Sequence, residues 1–74
     1  MTTTGIKNGD SRRIAAQRRF NTLCGSFHKA TEVELAFQRQ LIRQGVDGGM
    51  PVWEYWERLA DFAGEYAKQK GWVS

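Results

Sequence analysis

PVWEYWERLADFAGEYAKQKGW, residues 51–72, is the stretch that decides the fold. Pro51 suits the first position of a helix, where its missing N–H would have had no partner anyway. The pattern predicts a helix running to about Lys70. Gly71 is then the left-handed residue after the last turn, and Trp72 is placed to pack back on Ala67 or Tyr66 in a Schellman arrangement. On a helical wheel the apolar side chains run Phe62, Tyr55, Tyr66, Leu59, Val52, Ala63, Trp56, Ala67, Ala60, Trp53, an arc of roughly 180°. The opposite face holds Gly64 and the charged or polar set Glu57, Lys68, Asp61, Glu54, Glu65 and Arg58. A helix with one neighbour needs a stripe of only about 100°. This one therefore has apolar surface for two neighbours, or for one neighbour and a partner molecule. Trp53 and Tyr55 lie near opposite edges of the arc, too far apart for one neighbour to cover easily. Trp and Tyr are enriched at the centres of protein interfaces. Trp53, Tyr55, Trp56, Phe62 and Trp72 are accordingly the candidate residues of a protein interface.

Upstream, Val46-Asp47-Gly48-Gly49-Met50 reads as a loop, and Gly45 as the residue that closes a second helix. Thr31-Glu32-Val33-Glu34 matches a capping box: the Thr31 hydroxyl accepts from the Glu34 amide, and Glu34 reaches back to the Thr31 amide. This predicts a helix starting at Thr31, with Ala30 and Leu35 at the staple positions. Arg39 and Arg43 suit its last turns. Val33, Phe37 and Leu41 form one apolar stripe, and Leu35 and Ile42 a second. A rival segmentation runs a single helix from Ser26 to Gln44.

The first helix is expected from Asp10 or Ser11, both good N-caps. Leu23, Ala16, Phe27, Phe20 and Cys24 fall within a core-facing arc of about 100°, with Ile14 outside it. At Gly25-Ser26 this helix either ends or bends and continues to Lys29. Residues 1–9 are polar and aperiodic and read as a mobile tail, leaving residues 10–74 as one helical domain.

The 74 residues make one domain, and Ala, Val, Ile, Leu, Met, Phe, Trp, Cys and Gly together are 36 of them, inside the globular range of roughly 45–50%. No segment alternates with period two for a useful length, so no strand is expected. The predicted fold is all-α: three helices, short loops and a thin core. A core of this size rarely leaves more than about 3–5 kcal/mol of net stability, and natural chains this small add disulfides, a metal or a partner. Cys24 is the single cysteine, which excludes an intrachain disulfide. Self-association, most simply as a homodimer, or a different protein partner is the remaining route. The longest apolar run, Met50 to Trp53, is far short of the ~20 residues of a membrane span. No secretory signal pattern is apparent. A soluble, cytoplasmic protein without membrane contact is expected.

Net charge is +3, unevenly spread: residues 1–43 carry an excess of positive charge and residues 44–74 an excess of negative charge. Such asymmetry suits nucleic-acid contact or attraction between the two halves. Arg12, Arg18, Arg19, Arg39 and Arg43 are the candidate nucleic-acid residues, since guanidinium groups fork onto phosphate and guanine. On the wheel Arg12 and Arg19 point together, Arg18 points away, and Arg13 falls inside the apolar arc, so no single phosphate-tracking stripe forms. The competing expectation pairs Arg12, Arg18 or Arg19 with Glu57, Asp61 or Glu65. A helix-turn-helix across Ala36–Ala60 fails, because it would put Pro51 inside the second helix.

Cys24 and His28 would share a helical face, with Glu32 one turn further, if the first helix continued. A structural zinc needs four N/S ligands, and the chain has no other Cys or His. His28 also lacks the nucleophile and orienting group of a catalytic triad, and no phosphate or dinucleotide loop is present. No enzyme activity, cofactor, metal or small-molecule substrate is expected. The expected function is that of a small binding or regulatory protein acting by protein–protein contact. Accessory subunits and the inhibitors encoded by phages and mobile elements are of this kind. The alternative is a small basic nucleic-acid-binding protein using its arginine-rich first helix.

Overall fold

The computed structural model describes residues 8–46 and 48–72, in three helices: α1 (Asn8–Cys24), α2 (Phe27–Arg43) and α3 (Val52–Lys70). Among the described residues there is no strand. Side-chain contacts fix the helix directions. Arg12 and Arg19 of α1 meet Glu57 and Asp61 of α3 in ascending order, so these two helices run the same way. In α2, Phe37 meets Tyr55 and Phe62, whereas Glu32 meets Tyr66 and Lys70, so α2 runs against α3.

The wide apolar arc of α3 explains this layout, because α1 and α2 divide it. Phe20 of α1 sets its ring edge-on to Trp56, 5.8 Å between centroids, and Leu23 lies against Gly64. Phe37 of α2 packs on Tyr55 and Phe62 at the other edge, 5.5 and 5.3 Å between centroids. Ala16, Phe20, Cys24, Val33, Phe37, Leu59, Ala60 and Ala63 form the buried core between the three helices. The small residues Ala16, Ala60 and Ala63 leave room for the rings of Phe20 and Phe37.

The ends of α3 follow the expected chemistry, with one shift. Pro51 is the N-cap in extended geometry (φ −61°, ψ 154°), and Val52 is the first helical residue. The Pro51 carbonyl accepts from the Tyr55 amide at 3.0 Å. Gly71 adopts φ 76°, the Trp72 amide donates to the Ala67 carbonyl at 2.8 Å, and the Gly71 amide donates to Lys68 at 3.2 Å. This is the Schellman pattern, and the Trp72 ring folds back on Tyr66, 5.5 Å between centroids.

The start of α2 differs from the capping-box expectation. Gly25 takes φ 74° and closes α1, its amide donating to Asn21 at 2.9 Å. Ser26 is extended and caps α2, its Oγ accepting from the Lys29 amide at 3.2 Å. Thr31 therefore lies within α2 and exposed to solvent, and the helix has the extent of the rival Ser26–Gln44 segmentation. The physical reason is local: a left-handed glycine followed at once by a serine lets one helix stop and the next start with no backbone left over. A start at Thr31 would leave the backbone of residues 26–30 without helical hydrogen bonds. Phe27, expected on the core face of α1, belongs instead to the first turn of α2 and is 81% exposed. The helices thus allow a paired test. Ser26→Ala is expected to cost about 0.5–2 kcal/mol of stability as a lost N-cap. Thr31→Ala is expected to be neutral or slightly stabilising, since Ala is the better helix former. Urea denaturation of the two variants checks both.

α1 starts at Asn8, two residues before the expected cap. The rest of the expected tail (residues 1–7), Asp47 of the loop, Val73 and Ser74 lie outside the described residues. Among the described residues no helix is long and apolar enough to cross a membrane.

Candidate interaction surface

The parallel run of α1 beside α3 sets a basic edge against an acidic one. The Arg12 guanidinium forks onto the Glu57 carboxylate, with both N–H groups donating at 2.7 Å, and it also lies over the Trp53 ring at 4.1 Å. Arg19 donates to Asp61 at 2.6 Å and to the Glu57 carbonyl at 3.4 Å. The hydrogen bonds from Arg12 hold the Glu57 carboxyl below its ordinary pKa. Both pairs are well exposed, a setting in which an ion pair is worth about 0–1 kcal/mol. They set the register of α1 on α3 more than they stabilise it. Arg13 donates to Gln17 on its own helix at 3.2 Å. Arg18, Arg39 and Arg43 are exposed and have no ion pair among the described residues. Of the five nucleic-acid candidates, two are thus engaged within the chain and three are not.

A second polar cluster ties α2 to the C-terminal end of α3. The Tyr66 hydroxyl donates to the Glu32 carboxylate, and the Lys70 ammonium lies 3.2 Å from it. These bonds, Tyr66 first, hold the Glu32 carboxyl below its ordinary range. The same bond to Glu32 raises the pKa values of Tyr66 and Lys70. Lys29 lies over the Trp72 ring at 5.0 Å.

These shifts give a pH dependence with a definite sign. A carboxylate whose pKa is depressed by folding stabilises the native state above its ordinary value. That contribution is lost as pH falls through the lowered value. Thermal melting from neutral pH down through the carboxylate range is expected to show a drop to which Glu57 and Glu32 both contribute. Glu57→Gln should melt lower than wild type at neutral pH and show a smaller acid-induced fall.

The five candidate interface aromatics are each half-buried inside their own chain. Trp53 lies beneath Arg12, and Trp56 sits between the rings of Phe20 and Tyr55. Tyr55 and Phe62 pack on Phe37, and Trp72 is held between Tyr66 and Lys29. The two edges of the α3 arc are therefore each packed by a helix of the same chain, which leaves all five aromatics part-exposed.

Ile14 of α1 and Val52 of α3 are exposed, and the other three exposed large apolar side chains share the outer face of α2. Val33 and Phe37 point into the core, whereas Phe27, Leu35 and Ile42 stand out at 81, 50 and 76% exposure. Thr31 and Gln38 lie between them, also exposed. At 100° per residue these five side chains span roughly 80°, with no charged group among them. The strip is about 22 Å long at the helical rise. A groove of about 500 Å³ follows its flank, lined by Phe27, His28, Leu35 and Arg39 of α2 and closed by Tyr66 of α3. The paired spacing of Leu35 and Ile42 signalled a second stripe in the sequence. Phe27 was hidden because its place on the wheel of α1 suited the core.

Cys24 is buried on α1 and His28 is exposed on α2, with the chain reversing between them, so they share no face. Burial pushes the Cys24 thiol up, away from the reactive thiolate. Among the described residues no group of three His, Cys, Asp or Glu side chains could hold a metal ion. The four acids of α3 are all paired: Glu54 with Arg58 at 2.8 Å, Glu57 with Arg12, Asp61 with Arg19, and Glu65 with Lys68 at 3.6 Å. Compared with known proteins, the chain matches no family model, no curated protein and no solved structure.

Proposed function

We propose that this chain is a small non-catalytic interaction module, a cytoplasmic accessory or regulatory protein that assembles with another protein chain through the outer face of α2. The observation that carries this reading is the uncharged strip of Phe27, Thr31, Leu35, Gln38 and Ile42, whose three large apolar side chains are exposed together. Single exposed apolar residues are ordinary, but a contiguous strip on one helix is the surface that interfaces use. The absence of charge along it suits the composition of interface centres, where charged residues are depleted. A non-catalytic role is supported by the ion-paired carboxylates of α3 and by the burial of the Cys24 thiol, which raises its pKa.

Arg18, Arg39 and Arg43, exposed and without ion pairs among the described residues, favour a second reading, contact with nucleic acid. Three contacts would give an affinity that falls with log salt at a slope of about −3. Titration with duplex DNA and with RNA, at low and at physiological salt, separates the readings. Protein docking predicts no binding at physiological salt. A slope near that value, abolished by Arg18→Glu with Arg39→Glu in a folded variant, would overturn it.

A further inference from the structure

We infer that the chain seated on the outer face of α2 is a second copy of this protein, its α2 running parallel to the first about a two-fold axis. The inference rests on the protein-docking reading above and names its partner. Thr31, Leu35, Gln38 and Ile42 follow the alternating four- and three-residue spacing of a helix-pair seam, with Leu35 and Ile42 at a positions and Thr31 and Gln38 at d positions. All four are exposed.

The flanking charges choose the orientation. In a parallel pair, the g residue of one helix faces the e residue five positions further along its partner. Here those residues are Glu34 and Arg39, of opposite charge, and neither has an ion pair among the described residues. The two-fold axis forms the contact twice. An antiparallel pair would set each edge against itself. Glu34 would then face Leu41, and Arg39 would face Glu32, a carboxylate already held by Tyr66 and Lys70. The β-branched Ile42 at an a position suits a two-stranded seam, and the polar d residues Thr31 and Gln38 lower its stability. A strip about 22 Å long and one helix wide buries less than roughly 1,200 Å² in total, the class of weak and transient interfaces. The dimer is therefore of the kind that forms and dissociates readily.

The test is sedimentation equilibrium from micromolar to millimolar concentration on wild type, Glu34→Arg, Arg39→Glu, an equimolar mixture of those two variants, and Ile42→Ser, each checked for helicity by circular dichroism. Wild type should dimerise. Each single charge variant should dimerise at least about tenfold more weakly, because two attractive contacts become repulsive. The mixture should regain dimerisation to within a few-fold of wild type, since its two like-charged edges are opposite to each other. Ile42→Ser should abolish it in a folded chain. A wild type that stays monomeric through millimolar concentration would overturn the inference. A dimer lost in Ile42→Ser but indifferent to the charge variants would overturn the parallel register while leaving α2 as the docking face. A dimer indifferent to all of them would overturn both.

Discussion

Phe20→Ala is expected to leave the chain largely unfolded at room temperature. Phe20 is 2% exposed, lies edge-on to Trp56, and belongs to the core that joins α1 to α3. Truncating a buried Phe to Ala costs about 3–5 kcal/mol, because the cavity adds to the lost transfer energy. A domain of this size rarely holds more net stability than that, about 3–5 kcal/mol. Ile14→Ala on the same helix is the control. Ile14 is exposed, and surface substitutions usually stay within about 0.5 kcal/mol. Far-ultraviolet circular dichroism and urea denaturation of the two variants check the contrast. A Phe20→Ala protein that melts close to wild type would mean that α1 does not close the core.

Val33→Asp should unfold the protein, while Leu35→Asp should leave its fold nearly unchanged. The two positions are two residues apart on α2, yet Val33 is fully buried and Leu35 is half exposed. A carboxylate at position 33 would lie in the apolar cluster without a partner, and burying an unpaired charge costs several kcal/mol. At position 35 the same group would stay hydrated. Native-gel mobility and melting temperature report the fold in both cases. If Leu35→Asp were the more destabilising, the outer and inner faces of α2 would be reversed. The variant has a second use: a folded Leu35→Asp protein should lose self-association, since a charge then sits at the centre of the seam.

The sequence made the ends of α3 legible because its stop signals are local. Pro51 sets a backbone angle, and Gly71 with Trp72 closes two particular hydrogen bonds and one ring contact within the last turns. The width of the α3 arc was equally plain, but a wheel reports only the directions that are buried and not what buries them. Two helices of the same chain and one helix plus a partner give the same pattern. The start of α2 was ambiguous for a different reason. Ser26 and Thr31 both have N-cap chemistry, and the choice depends on the backbone bonds left over between Gly25 and each. The arginines show the same limit. The charge asymmetry between the halves pointed to attraction, but the pairs Arg12–Glu57 and Arg19–Asp61 require α1 and α3 to run parallel, which no local signal specifies. The outer strip was half legible. Leu35 and Ile42 stood out as a second stripe, but which stripe faces water depends on where α1 and α3 lie.

Amide and indole N–H resonances followed by NMR through a dilution series test most directly whether α2 is the face on which another chain docks. The predicted result is concentration-dependent movement at Thr31, Leu35, Gln38 and Ile42, with the indole signals of Trp53, Trp56 and Trp72 unmoved. Movement of those indole signals while α2 stays still would place the contact on α3 and contradict the docking face argued from Phe27, Leu35 and Ile42.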